Sequence, residues 1–217
     1  MKRTFYISII TLLYSLGHSQ GKGDYNWQLG VQSYPLSSPY PLSQEISFDK
    51  GYRIIDTLFR PMSMGYFNTS LSDFNGKLLL YSNGCKINDG NHELIANSVD
   101  LSPGSVNDEW CGTTSGEYPI SDGGLFLSFN DDNLVLLLHQ RLKILGSPLR
   151  VFVDALFYTS LLRTESSYII IEKSIPIILD TLSSGRLEAI EGMRPGYWWI
   201  IQGVRNSNDY YTIGIDH

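Results

Sequence analysis

The chain has 217 residues and carries 16 Lys and Arg against 22 Asp and Glu, a formal net charge of −6 at neutral pH. An acidic chain without a cluster of basic residues argues against nucleic-acid binding, because such binding depends on Lys and Arg that neutralise phosphates. The 20 glycines and 14 tyrosines, with few long amphipathic stretches, favour an all-β fold.

Residues 1–19 have the pattern of a secretory signal peptide. Lys2 and Arg3 form a positive n-region, Thr4–Leu16 is an apolar run, and Gly17 and Ser19 are small residues at the cleavage positions. The apolar run is shorter than the roughly 20 residues that span a bilayer. We therefore predict export, with Gln20 as the mature N-terminus and no membrane span in the mature chain. A membrane anchor or a buried N-terminal strand is the alternative.

The chain has two cysteines, Cys85 and Cys111, and both lie in the predicted mature part. An even number of cysteines in an exported protein favours a disulfide, and two free buried thiols are the alternative. The cysteines have no histidines at ligand spacing, which gives no support for a zinc site. We expect no bound metal and no cofactor.

The first half of the mature chain predicts short strands and one hairpin. A strand near Trp27–Val31 precedes a Pro-rich connection that reaches Gln44, and alternating residues then predict strands at Ile46–Phe48 and Tyr52–Thr57. Extended runs at Tyr66–Ser72 and Lys77–Ser82 flank the sequence Asp-Phe-Asn-Gly. Because Asn-Gly suits a type I′ turn, with φ > 0 at both central residues, this stretch predicts a hairpin.

The second half predicts a long loop and then a return to strands. Residues 88–123 are rich in polar and turn-forming types, and loops of this length are usually functional or pinned. The run Leu134–Leu138 is nearly all apolar, as expected of a strand buried on both faces. Val151–Leu162 fits a strand better than a helix because it is rich in β-branched and aromatic residues. The remaining predicted strands are Leu125–Phe129, Leu134–His139, Tyr168–Ile171, Ile175–Leu179, Leu187–Glu191, Tyr197–Gln202 and Tyr210–Ile215.

Three of these strand pairs read as copies of one unit. Their second strands begin near Leu78, Leu134 and Tyr197, a period of roughly 55–65 residues, which a propeller blade with long loops would give. A closed propeller needs at least four blades. We therefore predict an incomplete β-propeller of about three antiparallel blades over residues 20–217, belonging to a longer protein or a truncated product. A β-sandwich is the alternative.

Several short motifs support this fold through a family resemblance. The stretch Gly76–Cys85, the stretch Asn91–Ser98, Leu101–Gly104 and the pair Leu187–Ile190 with Tyr197–Ile201 resemble the N-terminal β-propeller of large secreted Bacteroidetes proteins. Those proteins usually end in a type IX secretion sorting domain, some with PKD or gliding-associated modules before it. The resemblance implies secreted or surface binding without established catalysis.

The resemblance does not extend to every motif of that family. The family has a His-Gly/Asn-Gly-Arg-Asp turn before the paired tryptophans, and Glu191–Gly196 stands there in this chain, so no role of that His and Asp is transferred. The family's later blades and its sorting domain have no counterpart here. The expected location is therefore secreted or outer-surface, or periplasmic if no sorting domain is present.

Three residues are candidates for ligand binding: Trp110, Trp198 and Asp154. Trp198 and Trp199 must point to opposite faces of one strand, so one is expected in the core and the other is free to stack on a sugar ring or a neighbouring sheet. Asp154 is a lone acid in an apolar run, so it must be paired, face a channel or lie on a solvated face. We expect an extracellular glycan or protein as partner.

The catalytic alternatives are weaker. Paired carboxylates could serve a propeller-type glycoside hydrolase, with candidates at Asp108, Glu109, Asp122, Asp131, Asp132 and Asp154. His139 ends an apolar strand and has no nucleophile motif beside it, which indicates a core histidine. The turns Asn88–Asn91 and Asn206–Asp209 offer oxygens to Ca²⁺ but lack the EF-hand pattern. We therefore predict a binding or structural module that is not an enzyme.

Overall fold

The computed structural model describes residues 25–30, 43–48, 50, 52–58, 60–112, 116–129, 132–146, 150–194 and 196–216. The predicted leader and the predicted Pro-rich connection around Pro35–Pro41 lie outside the described residues. The described strands are β1 (Asn26–Gly30), β2 (Ser43–Ser47), β3 (Ile54–Leu58), β4 (Thr69–Ser72), β5 (Leu78–Ser82), β6 (Ile87–Asp89), β7 (Gly124–Phe129), β8 (Leu134–Leu145), β9 (Arg150–Arg163), β10 (Tyr168–Ile178), β11 (Leu182–Glu191), β12 (Trp198–Val204) and β13 (Tyr210–Ile215). Among the described residues there is one short helix, α1, which covers Ser105–Trp110.

The described strands form three antiparallel sheets, and none of them closes on itself. Strands β1–β3 make the first sheet and β4–β6 the second. The third has seven strands in the order β13-β12-β11-β9-β8-β7, with β10 added to β9. The predicted all-β fold is confirmed, and Val151–Leu162 is part of strand β9 rather than a helix.

All three predicted hairpins are present, as the pairs β4–β5, β7–β8 and β11–β12. The predicted type I′ turn of the first is wrong. Gly76 has a φ of 91°, but Asn75 is not among the residues with positive φ. The Asp73 carboxylate instead accepts the backbone N–H groups of Asn75 at 2.9 Å and Lys77 at 2.8 Å, which closes a longer turn.

Strand β8 is buried on both faces, as its apolar run predicts. Leu137 packs in a cluster with Leu80 of the β4–β6 sheet. Leu138, the next residue, points to the opposite face and packs with Leu187 of β11 and Ile200 of β12. Strands β7–β10 therefore form the middle layer of a stack, with β4–β6 on one face and β11–β13 on the other.

The second and third predicted repeat units are not separate sheets. Strand β11 joins the edge of β9 through the pair Leu182–Val153, so both hairpins belong to one hydrogen-bonded sheet. The connection is a single residue pair, and beyond it β11–β13 turn onto the face of β7–β9. The indole N–H of Trp198 donates to the Ser128 carbonyl across this packed face at 3.0 Å.

The predicted long loop, residues 88–123, contains α1 and is pinned by the predicted disulfide. Cys85 and Cys111 are bonded, with their Cα atoms 5.4 Å apart. Leu101 and Tyr118 are fully buried within the loop, so its chain contributes to the core.

Buried polar contacts anchor the segment after β3 on the first sheet and link that sheet to the second. The Arg60 guanidinium, which is fully buried, donates to the side-chain oxygen of Gln28 at 3.0 Å and to the Leu29 carbonyl at 2.9 Å. The side-chain amide of Asn26 donates to Ser72 Oγ at 2.9 Å, which links β1 to β4. Within the part of the chain that the structure describes, no helix has the length and apolar character needed to cross a membrane.

Candidate functional site

A cleft of about 700 Å³ opens where β8 ends and β9 begins, beside the start of β11 and the β12–β13 turn. Its walls combine apolar side chains, among them Leu142 and Val153, with hydroxyl, amide and guanidinium groups. The polar lining residues are Ser183, Ser184, Arg186, Arg205, Asn206, Ser207 and Asn208.

An irregularity in strand β11 directs part of this polar lining. The pairing of β11 with β12 shifts between Leu182 and Leu187, and Gly185 there has a φ of 66°. Bulges of this kind bend a strand and re-aim its side chains, and they are frequent beside functional sites. The bulge brings Ser183, Ser184 and Arg186 to the cleft.

Two buried glutamines hold the bulge in place. Gln140 of β8 donates to the Ser183 carbonyl at 3.0 Å and accepts the N–H of Gly185 at 3.0 Å. Gln202 of β12 also donates to the Ser183 carbonyl at 3.0 Å, and the two glutamine side chains are joined at 2.6 Å. Because both glutamines are fully buried, loss of these bonds would leave polar groups without partners, which makes the network costly to distort.

Arg205 is held against the wall of the cleft. Its guanidinium carbon lies 5.8 Å from the centre of the Phe152 ring, and its Nη1 donates to the Val151 carbonyl at 3.3 Å. The backbone N–H of Arg205 donates to the Thr181 carbonyl at 3.0 Å. These contacts fix the position of the guanidinium, so its remaining N–H groups are oriented to donate to an anion such as a carboxylate.

The second guanidinium, that of Arg186, is exposed and has no hydrogen-bond or ion-pair partner among the described residues. No acidic side chain is found among the described residues that line the cleft. The cleft thus concentrates positive charge on a chain whose net charge is −6. Clefts lined by one sign of charge focus the field and attract ligands of the opposite sign.

The β12–β13 turn presents the amide side chains. Asn206 has a φ of 56°, and the Asp209 backbone N–H donates to Ser207 Oγ at 3.1 Å. The Ser207 hydroxyl also donates to the Asp209 carboxylate at 2.5 Å. The Asp209 carboxylate is therefore engaged within the turn, whereas Asn206 and Asn208 line the cleft.

The sequence-predicted candidate Asp154 is held in an ion pair. Its carboxylate accepts Nε of Arg141 at 2.8 Å and Nη2 at 3.0 Å, and Lys143 Nζ lies 3.6 Å away. The Asp154 side chain is 13% exposed. Both carboxylate oxygens are therefore engaged by strand β8, and Asp154 is not among the residues that line the cleft.

The candidate tryptophans lie apart from the cleft. Trp198 is half-buried and packs against the core, while Trp199 on the opposite face is 44% exposed and meets the Tyr197 ring edge-on at 5.2 Å. Trp110, at the end of α1, is 42% exposed.

The candidate groups for metal binding form no cluster among the described residues, and Asp131, one of the carboxylates considered for catalysis, lies outside those residues. Among the described residues, no group of three or more His, Cys, Asp or Glu side chains could hold a metal ion. Asp89, in the first candidate calcium turn, accepts the backbone N–H groups of Asn91 and Glu93. His139 has Ser102 Oγ 2.9 Å from Nδ1, a spacing seen in nucleophile–base pairs, but both residues are buried, so the pair is closed to substrate.

The arginines of the cleft were not singled out by the sequence. Arg186, on β11, and Arg205, in the β12–β13 turn, lie 19 positions apart and belong to no motif, and each looks like an ordinary exposed charge. The one sequence signal nearby is the Ser-Ser-Gly that interrupts the alternation of β11, since a glycine inside a strand marks a bulge.

Comparisons of the chain with models of protein families, with curated proteins and with solved structures gave no match. The candidate site therefore rests on the geometry of this chain.

Proposed function

We propose that this chain is an exported binding module, without catalysis of its own, that binds an acidic extracellular glycan in the cleft between β11 and the β12–β13 turn. The observation that carries the proposal is the convergence of Arg186 and Arg205 in a cleft of about 700 Å³ whose other polar groups are hydroxyls and amides. The two guanidinium groups favour an anionic ligand, and the neutral hydroxyl and amide groups favour a ligand that is rich in hydroxyls.

The chemistry of the lining favours an acidic sugar over a simple anion. A guanidinium donates two parallel hydrogen bonds to two oxygens of a carboxylate or of a sulfate, which favours ligands that carry these acidic groups. Ser183, Ser184, Asn206 and Asn208 add donors and acceptors that match sugar hydroxyls. An open cleft of this kind admits one part of a long chain without enclosing the ligand, as a polysaccharide requires.

The stack of sheets supports a propeller-type architecture as the scaffold. Blades of a propeller pack face to face in sequence order. The layers β4–β6, β7–β10 and β11–β13 also follow one another in sequence order, although β11 is hydrogen-bonded to β9 rather than starting a separate sheet. The resemblance to the N-terminal propeller of secreted Bacteroidetes proteins points to the same architecture. A sandwich-like arrangement of the same strands is the alternative architecture.

Export is part of the proposal. The disulfide between Cys85 and Cys111 suits an oxidising compartment, where such bonds persist. The predicted leader agrees with that location. The proposed place of action is therefore the cell exterior, the outer surface or the periplasm.

The test is calorimetric titration of the mature chain with uronate oligosaccharides, with sulfated oligosaccharides and with a neutral oligosaccharide of equal length. We expect binding to one or both acidic series and none to the neutral one. The double variant Arg186→Ala with Arg205→Ala should weaken this binding at least tenfold, equivalent to about 1.4 kcal/mol. Added salt should weaken native binding because the charges are exposed.

The matched control is Arg163→Ala, which removes an exposed positive charge from the end of β9 away from the lining residues. It should bind like the native chain. Absence of binding to both acidic series, or equal binding by the double variant and the control, would refute the proposal.

A further inference from the structure

The outer edge of strand β13 is open and carries none of the usual protection against strand pairing. Among the described strands, β13 pairs with β12 only and ends the seven-stranded sheet. Its residues, Tyr-Tyr-Thr-Ile-Gly-Ile, include no charge and no proline. The pairing of β13 with β12 shows no register shift, so no bulge twists the edge away.

Strand β10, also at an edge of this sheet, is protected in several ways. It contains Glu172, Lys173 and Pro176, and Ser174 has a φ of 55°. Its pairing with β9 is interrupted by three register shifts. Charges, proline and bulges are the means by which natural sheets prevent edge-to-edge association. Strand β7, at the other end of this sheet, also lacks charges, proline and register shifts, but half of its residues are buried. Strand β13 is largely exposed, so β13 is the unprotected edge that is open to pairing.

The hydrogen-bond alternation fixes which residues face the open edge. The N–H of Val204 donates to the Asp209 carbonyl at 3.0 Å, so residues 204 and 209 are a hydrogen-bonded pair of the β12–β13 ladder. Bonded and non-bonded pairs alternate along an antiparallel ladder. Tyr210, Thr212 and Gly214 therefore direct their N–H and C=O groups away from β12, toward the open edge.

We propose that two copies of this chain associate through antiparallel β13–β13 pairing, with Thr212 of each copy on the two-fold axis. A symmetric pairing must match bonding residues with bonding residues, so Thr212 faces Thr212 of the second copy and Tyr210 faces Gly214 of the second copy. The two seven-stranded sheets then continue as one across the dimer.

The charges that flank β13 are compatible with this register. Asp209 and Asp216 bracket the strand, and a register that placed them opposite each other would be unfavourable. In the proposed register Asp209 faces Ile215 of the second copy, and Asp216 extends beyond the pairing. Within one chain the Tyr197 and Trp199 rings already cover Gly214, so the Tyr210 ring of the second copy would lie beside these two rings.

The first measurement is the mass of the native mature chain by sedimentation equilibrium, where we expect a dimer that dissociates on dilution. Thr212→Pro removes the N–H at the centre of the proposed pairing but none of the N–H groups that bond to β12, so it should be monomeric with unchanged circular dichroism. Thr212→Val keeps the backbone N–H and should remain dimeric. If Thr212→Pro misfolds, Thr212→Lys tests the same contact by placing two like charges opposite each other.

Cysteine cross-linking tests the register. Under mild oxidation Thr212→Cys should give a covalent dimer, because facing residues of an antiparallel pair have Cα atoms about 5.5 Å apart, within disulfide range. Tyr210→Cys faces glycine and should not cross-link. A native chain that stays monomeric up to about 1 mM, a dimer that survives in Thr212→Pro or Thr212→Lys, or cross-linking through position 210 and not 212 would each overturn the proposal. Position 212 does not line the cleft, so these results are independent of glycan binding.

Discussion

His139 lies fully buried in strand β8, between two hydroxyl groups. Ser102 Oγ is 2.9 Å from Nδ1, Thr159 Oγ1 is 3.1 Å from Nε2, and the ring stacks on Phe157 with centres 5.7 Å apart. Burial without a nearby counter-charge lowers the pKa of His139 to about 3. The imidazole is therefore neutral in the folded chain, with one ring nitrogen donating and the other accepting.

This burial predicts a specific loss of stability in acid. Below the ordinary histidine pKa of about 6.5, His139 is protonated in the unfolded chain. In the folded chain the same imidazole stays neutral until the pH is near 3. The free energy of unfolding should therefore fall by about 1.4 kcal/mol per pH unit through this window from His139 alone. Urea unfolding of the native chain and His139→Gln, at steps between pH 7 and 4, measures the difference.

The informative quantity is the slope of the free energy of unfolding with pH. Its absolute value is less informative, because the substitution of His139 also changes packing. The His139→Gln chain should lose stability more gradually, and the carboxylates contribute equally to both chains. Parallel curves for the two chains would show that His139 takes up its proton in the folded state.

Residue-level chemistry was predictable from the sequence where one residue type carries the argument. A lone acid in an apolar strand predicts that Asp154 is paired, faces a channel or is solvated. The ion pair with Arg141 shows that Asp154 is paired. The partner was not predictable, because it depends on the register of β8 against β9, which is shifted at Arg141 and Leu142. Arg186 and Arg205 were missed for the same reason, since strand pairing and a bulge bring them together.

The segment between β5 and β7, which includes β6 and α1, is the part of the chain that the disulfide constrains. The disulfide closes a loop with a sequence separation of 26, and the chain inside it buries Leu101 and Val106. In the chain-entropy account, a bond that closes such a loop stabilises the folded state by about 3 kcal/mol.

Replacing both Cys85 and Cys111 by Ser should therefore lower the free energy of unfolding by about 3 kcal/mol. Amide hydrogen exchange should accelerate between residues 86 and 110 more than in β8. The native chain in reductant is the matched control and should behave like the double variant. An unchanged unfolding midpoint, or faster exchange spread evenly over all sheets, would contradict this role.

At the scale of elements the sequence was informative about strands and less so about their turns. Asn-Gly between extended runs places the first hairpin correctly, because the glycine is needed for a positive φ at Gly76. The turn type escaped prediction because the Asp73 side chain closes the turn by accepting two backbone N–H groups. The helix α1 was also missed, since its six residues are too few to show a period.

At the scale of the whole molecule, the strand repeat predicts how many strand pairs exist but not how they join. The second and third pairs share a sheet through Leu182 and Val153, a contact between residues 29 positions apart. That junction shapes the candidate site, because the bulge that follows it in β11 and the turn at Arg205 both line the cleft. The candidate site is therefore a product of the third layer folding onto the second.

The most direct test of glycan binding at this cleft is a map of backbone amide chemical shifts on titration of the ¹⁵N-labelled mature chain with the uronate and the sulfated oligosaccharides. We predict saturable shifts that concentrate in residues 182–186 and 205–208, with little change in α1 or in β4–β6. Shifts centred on Trp110 or spread over the surface, or none with either ligand, would contradict the account.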